Sequence, residues 1–247
     1  MVSLGDSFTA GHGVHFEETY TYRLRKTLGD RYNVINLGQN GASTSREKQN
    51  YMRFIDSFGQ QPDVLIFQYF GNDIEDFLDT SHCRFSRTSV SNFIIKFSYI
   101  YSLVDTIFLQ KEFGSCYREA LRNAYMDDGL FEKHKRQIKD LMRVIQSHNS
   151  KVIFVVFPFL HNETEILNSA KLYVEKLDGL YQTFCQKGDW FYDVSHAALS
   201  LKTSERVANF MDAHPSSKLH RLVANELEKM VASAEAGGDV DGAYTCK

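Results

Sequence analysis

Short apolar runs alternate with longer segments of helical periodicity along most of the chain. Near-continuous apolar runs of this length are typical of strands that are buried on both faces of a sheet. The predicted strands are MVSL (1–4), YNVIN (32–36), PDVLIFQYF (62–70), KVIFVVFPF (151–159) and DWFYDV (189–194).

Helical periodicity fills most of the intervening sequence. Helices are predicted over 20–28, 46–58, 164–187 and 215–231, and most of 74–148 has helical character. Thr44 and Glu47 have the spacing of a capping box at the start of the second of these helices. Pro215 suits the first turn of the last helix, where a missing N–H costs nothing.

Apolar strands separated by helices predict a parallel sheet that is covered by helices on both faces. We find no internal repeat and no linker, and 247 residues suffice for one domain with a sizeable core. We therefore expect a single domain over 1–231, with a helical insertion near 80–130. The small and polar residues of 232–247 predict a disordered tail.

Composition narrows the function classes. A net charge of −3 with 43% hydrophobic residues is typical of a soluble globular protein. No strongly basic region is present, so a nucleic-acid partner is not expected. The densest charge run, EKHKRQIKD (132–140), mixes both signs and predicts a solvated helix face.

The four cysteines have no CxxC spacing, which argues against a zinc or redox motif. We expect unpaired thiols, although the sequence leaves disulfides open. No signal peptide is visible, so the default is a soluble cytoplasmic protein, with an upstream targeting segment as an open alternative. The apolar stretch 93–109 is interrupted by Lys96 and Asp105, which predicts a buried helix, or less favourably a lid, and no membrane span.

The loop GDSFTAGHGV (5–14) concentrates glycine, serine and histidine directly after the first strand. A dinucleotide fingerprint would need a third glycine where Phe16 stands, and no phosphate-binding G-x-x-x-x-G-K-[ST] occurs in the chain. The remaining interpretations are a simple turn or a loop that presents Ser7 as a nucleophile. Ligands of open α/β sheets gather at the strand ends where Ser7 lies, which favours the second.

Four short blocks decide this choice. GDSFT (5–9), NLGQNGAST (36–44), GND (71–73) and DAHPS (212–216) follow one another in the order of the motifs of the SGNH, or GDSL-type, hydrolases. The chain resembles that family from residue 5 to about 231. The resemblance implies a three-layer α/β/α sandwich with a flavodoxin-like sheet.

The resemblance also implies a role for each matching residue. Ser7 corresponds to the nucleophile and His214 to the general base, while the N–H groups of Ser7 and Gly41 and the Asn72 amide correspond to the oxyanion hole. Serine needs an imidazole to take its proton, and an acid orients that imidazole. The remaining histidines have no metal-ligand spacing to one another, so we expect no metal ion, and we expect no cofactor.

Two departures from the family pattern leave the acid and one turn open. The family commonly has Asp-x-x-His, whereas Asp212 lies two residues before His214 and Met211 occupies the expected position. We favour Asp212, with Asp193 as the rival. Gly71 precedes Asn72 directly instead of following the Gly-x-Asn-Asp pattern, and no G-x-S-x-G elbow of an ordinary α/β-hydrolase occurs.

The other polar residues have simpler interpretations. We expect Asp6 to brace its loop, Asp73 to cap a helix, and His220 to be a packing or surface residue. His12 and His15 are expected to line the pocket without a catalytic role.

These observations predict a metal-independent serine ester hydrolase that acts on an acetyl or other acyl ester of a carbohydrate or lipid-like molecule. One alternative is an O-acyltransferase that passes the acyl group to a polysaccharide. A second is a non-catalytic binding module on the same scaffold, which the unusual spacing of Asp212 would favour. The sequence does not define an oligomeric state.

Overall fold

Six strands form the central sheet of the computed structural model, which describes residues 1–80, 83, 98–209, 212–236 and 242–246. The strands of this sheet are β1 (Val2–Leu4), β2 (Ile35–Asn36), β3 (Val64–Tyr69), β4 (Lys151–Val156), β5 (Trp190–Asp193) and β8 (Ala243–Thr245). Two further strands are β6 (Val207–Asn209) and β7 (Asp212–Pro215). The helices are α1 (Ser7–Ala10), α2 (Tyr20–Leu28), α3 (Thr44–Phe58), α4 (Tyr99–Met126), α5 (Asp128–Gln146), α6 (Glu163–Ser169), α7 (Glu175–Tyr181), α8 (Ser195–Leu199), α9 (Thr203–Arg206) and α10 (Ser217–Ala236). A π-helical segment, Ala170–Val174, joins α6 to α7.

The strand order is β2-β1-β3-β4-β5-β8, with β6 and β7 as a separate hairpin. β2, β1, β3, β4 and β5 are parallel, in the 2-1-3-4-5 order of a flavodoxin-like sheet. β3 and β4 pair over six residues each and are buried along most of their length, as their continuous apolar sequences predict.

The sheet separates two apolar cores. One contains Tyr51 of α3, Leu121 of α4 and Ile138 of α5, and the other contains Leu24 of α2 and Leu227 of α10. The predicted three-layer α/β/α class is therefore confirmed. The parallel strands bring their carboxyl ends to one edge, where the loops after β1, β2 and β3 meet.

The chain after residue 231 differs from the predicted disordered tail. α10 continues to Ala236, and β8 pairs antiparallel with β5, with Trp190 opposite Thr245. Tyr244 stacks on Phe191 at 5.5 Å. The sequence of this segment has no strand periodicity that could have predicted β8. β8 is ordered instead by the edge strand β5, which supplies backbone partners, and by the disulfide that anchors it.

All four cysteines are paired, which corrects the expectation of free thiols. Cys83 bonds to Cys116, and Cys185 bonds to Cys246. The partners are 33 and 61 residues apart in sequence. Pairs this distant cannot be assigned from spacing alone.

Two predicted helix starts are also corrected. Ser43, rather than Thr44, is the N-cap of α3, and the Oγ1 atom of Thr44 has no hydrogen-bond partner among the residues that the structure describes. Glu47 is fully buried instead of folding back on the helix start, so the capping box was wrong. Pro215 ends β7, and the last helix begins two residues later at Ser217.

The predicted insertion at 80–130 includes α4, a helix of 28 residues. Residues 81–82 and 84–97, which include the start of the apolar stretch at 93–109, lie outside the described residues. Among the helices that the structure describes, none is long and apolar enough to cross a membrane.

Candidate active site

Ser7 occupies the first turn after β1, at the carboxyl edge of the sheet. The Asp6 carboxylate caps α1 by accepting the Phe8 N–H at 2.9 Å. Gly5 lies so close to β3 that a Cβ atom there would come within 2.3 Å of Gln68 Oε1. This tight connection fixes the Ser7 side chain, which is 7% exposed.

Gln68 of β3 holds the same loop through hydrogen bonds to its side-chain oxygen. Its buried Oε1 accepts hydrogen bonds from the Asp6 N–H at 3.2 Å, the Thr9 N–H at 3.1 Å and the Thr9 hydroxyl at 2.8 Å. One amide oxygen thus satisfies three donors of the Ser7 loop. Sequence reasoning missed this residue because Gln68 lies within an apolar strand and only the tertiary fold brings it to the loop.

His214 reaches Ser7 from the β6–β7 hairpin. Its Nε2 atom lies 2.8 Å from Ser7 Oγ, a hydrogen-bonding distance. Its Nδ1 atom is hydrogen-bonded to the Asp212 carboxylate, and the His214 N–H donates to Asp212 Oδ1 at 3.0 Å. The structure therefore joins Ser7, His214 and Asp212 in one hydrogen-bonded chain.

The short spacing of Asp212 and His214 has a geometric explanation. Both residues belong to β7, which pairs antiparallel with β6 through Asn209 opposite Asp212 and Val207 opposite Pro215. Residues two apart on a strand point to the same face. A strand therefore lets an Asp-x-His pair meet side by side, where other backbone conformations would need a different spacing.

The rival acid, Asp193, has another partner. It ends β5, and its Oδ1 atom accepts the Ser195 N–H at 2.8 Å at the start of α8. The His214 ring is hydrogen-bonded to Asp212 instead. The structure thus brings Asp212, and not Asp193, to the histidine.

The loop that carries Gly41 packs against the Ser7 loop. The Gln39 N–H donates to the Gly5 carbonyl at 3.1 Å, and a Cβ atom on Gly38 would lie 2.3 Å from the Ala10 nitrogen. Gly41 is the third residue of a turn closed by the Ala42 N–H and the Gln39 carbonyl. Its φ of +67° is one that glycine adopts without strain.

Asn72 lies beside Asp6, the residue before Ser7, and hydrogen bonding between their side chains favours the charged Asp6 carboxylate. Its Oδ1 atom is buried without a hydrogen-bond partner among the described residues. The turn whose shape the sequence left open is closed by the Asp73 N–H and the Phe70 carbonyl at 3.0 Å. Gly71 fits there because a Cβ atom would lie 2.8 Å from the Phe159 ring.

Three fully buried carboxyl groups, Asp6, Glu47 and Asp73, lie close enough to one another to interact electrostatically, and we refer to them as the buried acid group. Burial, followed by repulsion from the neighbouring acids, raises the pKa of Glu47 and of Asp73 well above the usual range. Both oxygens of Glu47 and one oxygen of Asp73 have no partner among the described residues. Sequence analysis predicts only capping roles for Glu47 and Asp73.

Burial also raises the pKa of Asp6, although hydrogen bonds from Phe8, Gln68 and Asn72 oppose that shift. Asp212 behaves differently. Its partial burial acts to raise the pKa, but hydrogen bonds from the His214 ring and N–H and the charges of His214 and His12 outweigh it. The pKa of Asp212 is therefore below its usual value, and the carboxylate is ionised at neutral pH.

His12 is in direct contact with Asp212 and His214, whereas the sequence predicts only that it lines the pocket. Its Nε2 atom is 3.6 Å from Asp212 Oδ2, and its ring centroid is 4.5 Å from that of His214. The Asn40 amide, next to Gly41, lies 3.3 Å from His12 Nδ1. Because His12 and Asp212 are 200 positions apart in the sequence, no local pattern predicts their contact. His15 is not part of this group of side chains.

His220 is a packing residue. It is fully buried, its Nδ1 atom accepts the Tyr20 N–H at 3.2 Å, and burial lowers its pKa to about 4. It therefore stays neutral at physiological pH and contributes no charge near the site.

Comparison with known proteins gives the family. The model of the GDSL-like lipase/acylhydrolase family matches residues 3–222. The chain belongs to that family, and it is an ester hydrolase. Comparison with the curated proteins found none that matches.

Several solved structures share the fold at low sequence identity. "Crystal Structure of TesA" is 10% identical, with 94% of this chain and 98% of that chain covered and a TM-score of 0.57. A putative lipolytic protein of the G-D-S-L family from Desulfitobacterium hafniense DCB-2 is 14% identical, with 93% and 97% covered and a TM-score of 0.56. A carbohydrate acetylesterase family member from Sinorhizobium meliloti is 17% identical, with 94% and 97% covered and a TM-score of 0.51.

Proposed function

We propose that this protein hydrolyses a carboxylic ester through an acyl-enzyme on Ser7. The observation that carries the proposal is the chain of hydrogen bonds from Ser7 Oγ through the His214 ring to the Asp212 carboxylate. Serine, imidazole and carboxylate in this order are the arrangement that turns a weakly nucleophilic hydroxyl into a nucleophile.

In the first half of the reaction, His214 Nε2 takes the proton of Ser7 as Oγ attacks the ester carbonyl. The protonated ring then donates that proton to the leaving alcohol as the carbon–oxygen bond of the ester breaks. In the second half, His214 takes a proton from water, and the resulting hydroxide attacks the acyl-enzyme. The carboxylic acid leaves and the proton returns to Ser7 Oγ.

Asp212 stabilises the imidazolium and holds the ring in one tautomer. Its lowered pKa supports this role, because only the ionised carboxylate accepts a hydrogen bond from Nδ1–H and balances the positive ring. The β7 strand places the acid and the histidine on one face, so little conformational entropy has to be lost on reaching the reactive geometry.

The N–H groups of Ser7 and Gly41 and the Asn72 amide form the oxyanion hole in this proposal. Three loops that follow β1, β2 and β3 carry them to the same edge of the sheet. Support comes from the packing of the Gly41 loop on α1 and from the position of Asn72 beside Asp6. Fixed donors at the developing charge are among the largest contributions to catalysis.

For the substrate we propose an acetyl or other acyl ester of a carbohydrate or of a lipid-like alcohol. The carbohydrate acetylesterase family member among the structural relatives has the same fold, which is compatible with this class. Transfer of the acyl group to a sugar hydroxyl instead of water remains the second function, and it would use the same acyl-enzyme.

A cap over the site from 80–130 is part of the proposal. The Tyr125 hydroxyl at the end of α4 donates to the Gly71 carbonyl at 3.1 Å, which ties this helix to the turn that carries Asn72. At the other end of α4, Tyr99 and Ile100 are strongly exposed. We expect Tyr99→Ser with Ile100→Ser to change the ratio of turnover between acetyl and longer acyl esters, and an unchanged ratio would count against a cap.

We also propose an oxidising compartment in place of the cytoplasm, which the sequence predicts by default. Paired cysteines persist mainly in secreted and periplasmic proteins, and this chain pairs all four. Intact mass after alkylation, with and without reduction, tests this. Four alkylated thiols in the unreduced protein from its native source would contradict it.

Turnover of an aryl acetate by the parent protein, Ser7→Ala and His214→Ala tests the function. Ser200→Ala and His196→Ala are matched controls, since both residues are exposed and outside the site. We expect turnover in the parent and the controls and none in the two site variants. Turnover by Ser7→Ala would overturn the proposal, and acylated sugar formed in the presence of a sugar acceptor would establish transferase activity instead.

A further inference from the structure

His12 stands beside two members of the Ser7 site without an evident part in ester hydrolysis. Its Nε2 atom is 3.6 Å from Asp212 Oδ2, which is longer than a good hydrogen bond. One ligand atom from each of His12, Asp212 and His214 lies within 4.8 Å of the other two. The three side chains thus converge on one small volume.

The spacing of these atoms suits a single metal ion. Zinc binds histidine nitrogen and carboxylate oxygen at about 2.0–2.2 Å, so neighbouring ligand atoms of a tetrahedral ion lie about 3.4 Å apart. The distance of 3.6 Å between His12 Nε2 and Asp212 Oδ2 is close to that value. Two imidazoles and one carboxylate are also a donor set that zinc prefers over calcium or magnesium.

The site is open to ions from solution. The side chains of His12, His214 and Asp212 are 48%, 27% and 24% exposed, so an ion reaches them without unfolding of the loop. The fourth ligand position of the ion would then be left to water.

Asn40 provides the outer contact that a metal-binding histidine needs. Its amide lies 3.3 Å from His12 Nδ1, on the ring nitrogen that faces away from Asp212. When Nε2 binds metal, Nδ1 carries the proton and requires an acceptor. The Asn40 amide supplies its oxygen after rotation about its last side-chain bond, because either end of an amide fits the same position.

We propose that His12, Asp212 and His214 bind one Zn²⁺ ion and that this ion inhibits the esterase. A metal bond to either nitrogen of His214 stops its action as a base. An ion on Nε2 occupies the lone pair that takes the Ser7 proton, whereas an ion on Nδ1 leaves the ring proton on Nε2. The inhibition rests on the function proposed above, but the binding of zinc does not.

Calorimetric titration with zinc chloride tests binding without reference to activity. We expect one ion per chain in the parent, in Ser7→Ala and in His15→Gln. His15 is the matched control because it is an exposed histidine three residues further along that lies outside the cluster. In His12→Gln we expect the affinity to fall at least tenfold, since even outer contacts of metal ligands change affinity by about 10- to 100-fold.

Aryl acetate turnover at increasing zinc concentration tests inhibition on the same variants. We expect zinc to inhibit the parent and His15→Gln, and the concentration for half inhibition to rise at least tenfold in His12→Gln. Equal zinc affinity in His12→Gln and the parent would overturn the metal site, as would the absence of binding to the parent.

The two proposals fail in different ways. Zinc binding that depends on His12 in a protein without esterase activity would support the metal site and overturn the ester hydrolysis. Esterase activity that depends on Ser7, together with zinc binding that ignores His12, would do the reverse. Circular dichroism of His12→Gln should match the parent, because the side chain is on the surface.

Discussion

Two sets of carboxyl groups lie near Ser7, and they are opposite in almost every physical respect. Asp212 is partly exposed, is hydrogen-bonded to His214 and has a lowered pKa. Glu47 and Asp73 of the buried acid group are inaccessible to water and have raised pKa values, and three of their four oxygens lack a partner in the part of the chain that the structure describes.

The difference shows what keeps a carboxyl group charged in this protein. Asp212 stays ionised because an imidazole lies beside it, whereas the neighbouring acids raise the pKa of Glu47 and of Asp73 further. An unpaired buried charge is costly, so burial raises the pKa of both groups and favours their neutral forms. In the proposed mechanism the charged acid is therefore Asp212 beside His214, whereas Asp6 of the buried acid group caps α1.

Replacing Asp212, the acid that is hydrogen-bonded to His214, should have the largest effect on kcat. Asp212→Asn keeps the shape but leaves His214 in the wrong tautomer, for which a loss in kcat of about 10⁴-fold is typical. Steady-state kinetics on an aryl acetate measure this. Asp193→Asn is the matched control and should retain parent activity, because the Asp193 carboxylate accepts the Ser195 N–H and His214 is hydrogen-bonded to Asp212 instead; a similar loss in both variants would contradict the assignment.

Removing the Asn72 amide should have the next largest effect. Asn72→Ala takes away one proposed oxyanion donor, which typically lowers kcat by about 10²- to 10³-fold. KM should change little, because the charge develops only in the transition state. Asn33→Ala, an exposed asparagine away from the site, is the control; an Asn72 variant that changes KM alone would assign it to substrate binding.

Neutralising Glu47 should stabilise the fold. The pKa of Glu47 is higher in the folded protein than in the unfolded chain. As the pH rises above the pKa of the unfolded chain, ionisation of Glu47 therefore stabilises the unfolded state. Glu47→Gln removes that advantage, and we expect the free energy of unfolding at pH 8 to rise above that of the parent. Urea unfolding measures it.

The gain should shrink as the pH falls towards about 4.3, the ordinary glutamate pKa, because both states are then protonated. The exposed Glu17→Gln is the control and should change stability little at any of these pH values. A Glu47→Gln protein that is less stable than the parent at pH 8 would mean that the carboxylate is paired and charged.

His220 is expected to show the opposite pH dependence of stability. Its pKa falls to about 4 in the folded protein, so below its unfolded value of about 6.5 the unfolded state binds the extra proton. This group therefore costs about 1 kcal/mol of stability for each pH unit between about 6.5 and 4. Relative to the parent, His220→Gln should become more stable as the pH falls over that range, and a difference that does not vary with pH would contradict this.

The sequence predicts the scaffold well because the scaffold depends on local patterns. β3 and β4 lie within the predicted strands, and α2 covers the predicted residues 20–28, since their apolar positions repeat with the period of the element. β8 escaped prediction because three residues without a periodic pattern form a strand only when β5 and the Cys185–Cys246 bond hold them.

The residues of the site also divide into those that a sequence pattern predicts and those that depend on long-range contacts. Motif order picks out Ser7, Asn72 and His214, and the strand geometry of β7 then explains why Asp212 pairs with His214 at an unusual spacing. No local pattern predicts the contacts that His12, Gln68 and Glu47 make in the structure, because these contacts join residues far apart in the sequence. Long-range contacts also set the charge of Glu47, which an isolated helix would leave exposed.

Reaction with a fluorophosphonate tests the central claim most directly, since the probe bonds to an activated serine with loss of fluoride. Intact mass and peptide mapping of the parent, Ser7→Ala and His214→Ala locate the adduct. We predict a single adduct on the peptide that contains Ser7, no adduct in Ser7→Ala and much slower labelling in His214→Ala. A well-folded parent that is not labelled, or an adduct that persists in Ser7→Ala, would contradict the assignment of Ser7 as the nucleophile.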